Sequence, residues 1–481
     1  MRFGQSVLLF LIPTIFQNAL AFAVLPFSTR FLGPEEYGLF GLVTSLALIG
    51  GALASLGVGY VMPAHYLRLD REQKKRLVST ATWLGLLVMV SYCVGFAFLW
   101  LVLRRWIPTV RDVPLTAITL AALAAVLSTP WAVAHQIIIL DKRPRMFAVV
   151  TLVQSGIWFL SLLAGLYLFE LGVLALFYSR LLASLVQAVG SMLLLRPLLT
   201  FHADRKWIRQ MLTTGIATTA GNIMEQVQVS VAGLLLSAFA GLRALGLYAH
   251  SLLYRSAAIM LTNGFANTMW PITLSEAREA DLQFTRTQMG WQAVHFMVAV
   301  LGLGAVVLAR PLLGWLTNDQ FTAAAPLLPI WMILILIQTS GRLANGLLYS
   351  GDHGVFLAFW NTASIAVGIV CAVILVPGLG VSGAVVGLFV QHLSYRTGMQ
   401  LRARRFGHNL GLEDKLVLVH IAVVAAVFTF CEALALSIPV KAMFAGAGLV
   451  TLGFLDRRSL SFATVYAWNA LQPSPSRVGV G

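Results

Sequence analysis

Runs of ~20 apolar residues, each long enough to cross the ~30 Å hydrocarbon core of a bilayer as a helix, follow one another along almost the whole chain. Fourteen of them read as spans: 7–27, 39–62, 79–103, 115–139, 146–168, 173–195, 211–238, 246–272, 291–309, 325–349, 355–376, 383–400, 416–437 and 440–455. The runs are continuous rather than alternating, which argues against a β-barrel wall. Composition agrees: 59% of residues are hydrophobic and only 11% charged, with a mean hydropathy of +0.84, whereas soluble domains carry about 25% charged residues. The expected fold is all-α and integral to a membrane, with about fourteen transmembrane helices.

The net charge of +15 raises the question of nucleic acid, and the placement of the cations answers it. With the N-terminus inside, the inner loops and tails hold 22 of the 33 Lys and Arg, the outer loops 7, and four lie within spans. That bias is the positive-inside rule; it predicts a multi-pass membrane protein with both termini cytoplasmic, and no nucleic-acid partner. Cys93, Cys371 and Cys431 lie in three separate apolar runs, without the spacing of a disulfide framework or a zinc site. The first run could pass for a signal peptide ending at Ala19-Leu20-Ala21, but its apolar stretch continues to Phe27, so it reads as a retained span.

Between the first two runs stands RFLGPEEYGLFG, residues 30–41. Gly33-Pro34 stops one helix and Gly38 leads into the next. The stretch returns 208 residues later as AFAGLRALGLYA, residues 238–249, with Phe31, Gly33, Gly38 and Leu39 falling on Phe239, Gly241, Gly246 and Leu247. At the same offset Pro63 falls on Pro271, Gln17–Asn18 on Glu225–Gln226, and Leu171-Gly172-Val173 on Leu379-Gly380-Val381. An offset covering six spans makes the two copies parallel repeats, related by an axis along the membrane normal. The expected organisation is a six-helix bundle over 1–200, a second over 201–405, two additional helices over 406–456 and a cytoplasmic tail over 457–481, with the segment around 196–210 joining the bundles.

Five ionisable residues sit where a membrane penalises them: Arg180, Arg255, Arg342, Arg396 and Glu225. At ~2.5–3.5 kcal/mol per mid-span charge they would together cost on the order of 10 kcal/mol facing lipid. Arg396 is close enough to an inner helix end to snorkel. The others have polar company. Asn222, Glu225 and Gln226 share a helical face, as do Gln338, Arg342 and Asn345; span one offers Thr14, Gln17 and Asn18, and span eight offers His250, Tyr254, Asn263 and Asn267. Two readings remain: interhelical hydrogen bonds with a Glu–Arg ion pair, or the walls of a hydrated, electropositive cavity.

Other motifs carry less. Gly378, Gly380 and Gly383 match the dinucleotide fingerprint, but no strand precedes them. No P-loop occurs, and His135, His295 and His420 stand isolated in spans without a zinc-protease motif. No cofactor and no catalytic or metal-binding residue is expected; Na⁺ or H⁺ coupling is left open.

RFLGPEEYGLFG after a first span resembles the signature of bacterial polysaccharide (O-antigen type) flippases of the multidrug/oligosaccharidyl-lipid/polysaccharide exporter superfamily. LGLYAHS at 245–251, NDQFTAAAPLLPI at 318–330 and VPGLGVSGAVVG at 376–387 are similar to later family motifs, although the Gly often found where Asn318–Asp319 stand is missing. The similarity covers residues 5–400. It implies a MATE-like fold of two six-helix bundles around a central cavity lined by spans one, two, seven and eight. It also implies transport, not catalysis: an undecaprenyl-diphosphate-linked oligosaccharide would pass from the cytoplasmic to the outer leaflet for surface polysaccharide (O-antigen or exopolysaccharide) synthesis.

In that scheme Arg255, Arg342 and Arg180 meet the diphosphate, because a guanidinium stays charged and binds phosphate bidentately. Gln17, Asn18, Asn222, Glu225, Gln226, His250 and Gln338 complete the cavity. The partners are the polyprenyl-diphosphate-linked glycan, membrane lipids and other polysaccharide assembly proteins. A lipid II flippase or a multidrug cation antiporter would share the fold, the latter favouring an acidic or aromatic cavity. A polysaccharide polymerase or ligase, from another class, would need a larger outer loop than this chain offers.

Overall fold

The structure, a computed structural model, describes the chain apart from residues 1–2, 56, 107, 112, 142, 202, 279–284, 341–353, 406–410 and 457–481. No strand occurs among the described residues. The long helices are α1 (Phe3–Ala23), α2 (Pro34–Ala54), α3 (Arg71–Trp106), α4 (Leu115–Leu140), α5 (Pro144–Tyr167), α6 (Leu174–Leu195) and α7 (Ile216–Phe239). They continue with α8 (Gly241–Arg278), α9 (Thr285–Leu316), α10 (Leu327–Ser340), α11 (Gly354–Leu379), α12 (Val381–Arg405), α13 (Gly411–Ala433) and α14 (Ile438–Leu455). Among the described residues ten helices are long and apolar enough to cross a membrane. Helices suit such sequences because a helix pairs its own backbone groups where water is absent.

The chain forms two compact units. The first comprises Met1–His250, Leu313–Ala323 and Asn361–Leu388; the second comprises Ser251–Leu312, Ala324–Trp360 and Phe389–Gly481.

Within the first unit, α6 packs on α4 and α5, α1 on α5, and α2 on α7. Ser230 Oγ of α7 donates to the Ser45 carbonyl of α2 at 2.7 Å, spending a hydroxyl that lipid could not solvate. One end carries a core of Val58, Met62, Leu77, Ile137, Leu195 and Trp207. Segment 196–210 is tied down there rather than hanging as a linker: Thr200 N donates to Ser79 Oγ at 2.7 Å, Asp204 N to Thr80 Oγ1 at 2.9 Å, and Trp83 Nε1 to the Thr200 carbonyl at 2.8 Å.

The motif residues of the sequence gather at the opposite end of the same unit. Glu36 Oε2 accepts from Gly33 N at 2.8 Å, capping the start of α2. Tyr37 meets His250 and Phe321 edge-on, with ring centroids 5.7 and 5.2 Å away, and Asn318 Nδ2 donates to the Thr29 carbonyl. The repeat is visible in the backbone. Gly172 and Gly380, 208 positions apart, turn into α6 and α12 with φ of +53° and +54°, a conformation that glycine adopts without strain. Gly38 packs on Leu242 and Gly246 packs on Pro34, a pair of contacts that maps onto itself under the same offset. Reciprocity of this kind is the mark of a local two-fold relation.

In the second unit α10 packs on α13 and α13 on α14. Trp331 is fully buried, its Nε1 donating to Ser251 Oγ at 2.9 Å.

Candidate functional site

All six helices α1–α6 contribute to a cavity of about 490 Å³ inside the first unit. Alanines at positions 21, 47, 121, 124, 125 and 183, with Gly51, leave the space because their side chains are too small to fill it. Into that space come Gln17 from α1, Thr44 from α2, Ser128 from α4, Gln154, Ser155 and Trp158 from α5, and Arg180, Ser184 and Gln187 from α6. Among the described residues, Arg180 is the one charged residue in the lining. No carboxylate forms an ion pair with it among the described residues.

The neutral groups divide by what they have left to offer. Ser128 Oγ donates to the Ala125 carbonyl at 2.9 Å, and Thr44 Oγ1 to the Phe40 carbonyl, so those two protons are spent within their own helices. Gln187 Nε2 donates to Gln154 Oε1 at 2.8 Å, which aligns the two amides and leaves the Gln154 NH₂ and the Gln187 oxygen for a ligand. Ser155 Oγ is buried without a hydrogen-bond partner among the described residues. A guanidinium, three amides and an indole are groups whose chemistry suits anions and hydroxyl-rich ligands.

A second polar group lies in the other unit. Arg255 of α8 has its Nη2 3.5 Å from Gln338 Oε1 of α10, and its guanidinium carbon stands 5.7 Å from the Trp331 ring centroid. That geometry suits a cation–π contact, which holds the guanidinium without neutralising it. His392 of α12 is within electrostatic reach of Arg255.

The remaining expected residues fall as follows. Asn18 is half-buried on α1, Gln226 half-buried on α7, and Glu225 exposed on α7. Glu225 makes no ion pair among the described residues, so the expected Glu–Arg pair gains no support. His250 is fully buried in the ring cluster with Tyr37 and Phe321, not in the cavity lining. Arg342 and the Asn222 side chain lie outside the described residues. Arg396 corrects an expectation: at 7% exposure it is enclosed by protein and does not snorkel. His420 corrects another, because its Nε2 lies 2.6 Å from Asp456 Oδ2 and the residue is not isolated. Gln154 and Gln187 were missed; their signal was a lone amide in the middle of each of two apolar runs.

A family model described as "Polysaccharide biosynthesis protein" matches residues 28–326. No curated protein matches the chain in sequence. Solved structures do match in fold. An inward-facing multidrug resistance MATE family transporter of the MOP superfamily aligns at 15% identity and a TM-score of 0.65, covering 83% of this chain and 97% of the other. The lipid II flippase MurJ in an inward closed conformation aligns at 13% identity and 0.67, covering 94% and 99%. A MOP superfamily transporter from Pyrococcus furiosus, described as having a binding pocket of reverse polarity, aligns at 14% identity and 0.56, covering 83% and 95%.

Proposed function

This chain belongs to the polysaccharide biosynthesis protein family, and from that premise we propose that it is a flippase for a lipid-linked oligosaccharide. The cargo class is an undecaprenyl-diphosphate-linked repeat unit, moved from the cytoplasmic to the outer leaflet of the bacterial inner membrane. The observation that carries the reading is Arg180, which enters a cavity inside a membrane bundle among amides and hydroxyls, with no ion-paired carboxylate among the described residues. A cation in that setting is expensive unless something anionic visits it.

The diphosphate meets Arg180, with Arg255 and Arg342 as further guanidinium contacts. Gln17, Gln154 and Gln187 hydrogen-bond the sugars, Trp158 offers a flat apolar face, and the prenyl tail stays in lipid. Two six-helix bundles rock between inward- and outward-open states, with two additional helices and both termini on the cytoplasmic side; the 22-to-7 partition of cations supports that orientation. An inside-negative potential assists outward passage of an anionic head, by ~2.3 kcal/mol per charge per 100 mV. A lining whose one charge is basic does not suit a drug cation, which favours the glycan over an antiporter reading.

Reconstitution with a fluorescent lipid-linked glycan tests this. Arg180→Ala and Arg255→Ala each slow flipping about tenfold or more, the loss expected for one charge-assisted hydrogen bond. Wild-type rates in both variants would sink the assignment.

A further inference from the structure

A second cavity, of about 220 Å³, lies in the second unit between α9, α10, α13 and α14. Three charged side chains form its polar wall. Glu432 holds Lys441 Nζ 2.5 Å from its Oε1, and Arg310 Nη2 3.7 Å from its Oε2. Two cations thus share one carboxylate, and the wall carries a net charge of about +1. The two cations differ in access. The Lys441 side chain is 8% exposed, whereas that of Arg310 is 68% exposed and free to turn its guanidinium toward a newcomer. The other walls are apolar, with Val306, Pro326, Phe428 and Ile438 among them.

We propose that this cavity binds the headgroup phosphate of an anionic phospholipid, a phosphodiester of charge −1. Charge is the first argument: one phosphodiester completes the imbalance that Glu432 leaves. Depth is the second. Arg310 lies near the end of α9, Glu432 next to the last residue of α13, and Lys441 in the first turn of α14. Glu432 and Lys441 are at helix ends and Arg310 stands six residues, ~9 Å, before one, close to the level at which lipid phosphates sit. Size is the third, because the cavity is smaller than the ~300–1,000 Å³ that encloses a drug-sized ligand. It accepts a headgroup, not an oligosaccharide. Ile438 at the rim and the neighbouring Leu434, 51% and 56% exposed, offer the acyl chains an apolar surface. The site is separate from the glycan cavity and stands without the transport reading.

The test is native mass spectrometry of the full chain in detergent, titrated with phosphatidylglycerol, phosphatidylcholine or inorganic phosphate. Phosphatidylglycerol binds in preference to phosphatidylcholine. Arg310→Gln weakens it about fivefold, and Arg310→Lys recovers most of the loss. Arg310 is exposed, so neither variant disturbs folding, and an unchanged unfolding temperature verifies this. Equal affinity for the two lipids, or wild-type affinity in Arg310→Gln, overturns the proposal. Inorganic phosphate binding as well as the lipid also overturns it, since the site would then take a free anion.

Discussion

At position 180 the group that is costly to insert is also the one proposed to meet the cargo. A guanidinium in the apolar run LFYSRLLASL is tolerable because α6 turns it into the bundle cavity. His420 follows a different logic. Its Nε2 lies 2.6 Å from Asp456 Oδ2 and its Nδ1 2.7 Å from the Leu416 carbonyl, with both side chains almost wholly buried. Here the polar group meets a polar neighbour, and the contact links α13 to the residue that follows α14. Removing one partner leaves the other polar group buried without its neighbour, so Asp456→Ala costs ~1–3 kcal/mol. It is read as a lower unfolding temperature in detergent; an unchanged temperature would mean the pair contributes nothing. The embedded arginines were legible in sequence because each is so costly in lipid. The His420–Asp456 pair was not, since it exists only once α13 and α14 close into a hairpin, and Asp456 reads as lying just past a span.

At the scale of elements, RFLGPEEYGLFG is a joint rather than a reactive loop. Its Glu36 caps α2, its Tyr37 anchors the rings of His250 and Phe321, and its Gly38 lets one backbone reach another. A Cβ on Gly38 would lie 2.0 Å from the Leu242 carbonyl oxygen, and one on Gly246 1.6 Å from that of Pro34. Gly38→Val and Gly246→Val should therefore each destabilise by ~1–3 kcal/mol, as overpacking does. Gly95→Ala serves as the control, because nothing lies within 4 Å of its added methyl. Equal unfolding temperatures for all three would contradict the close crossing. The 208-residue offset makes this joint legible in the sequence. What it could not show is that motifs from positions 30–41, 245–251 and 318–321 meet at one end, because that depends on how the helices pack.

At the scale of the whole molecule, membrane physics makes the fold class readable: lipid admits few architectures, and ten helices among the described residues are long and apolar enough to span it. The cavity was only half readable. Gln17 and Arg180 stood out as polar intruders, whereas Gln154 and Gln187 satisfy each other and left a weaker mark. The central claim is that the cavity of α1–α6 is wet and receives an anionic cargo. A single cysteine at Ser184, in a protein lacking Cys93, Cys371 and Cys431, tests it with a membrane-impermeant anionic thiol reagent. Ser184→Cys should react in membranes, and lipid-linked glycan should protect it. Leu185→Cys, on a neighbouring position that is 46% exposed and outside the cavity lining, should stay unreactive. A Ser184→Cys protein that resists the reagent, or reacts equally fast with and without the glycan, would contradict the account.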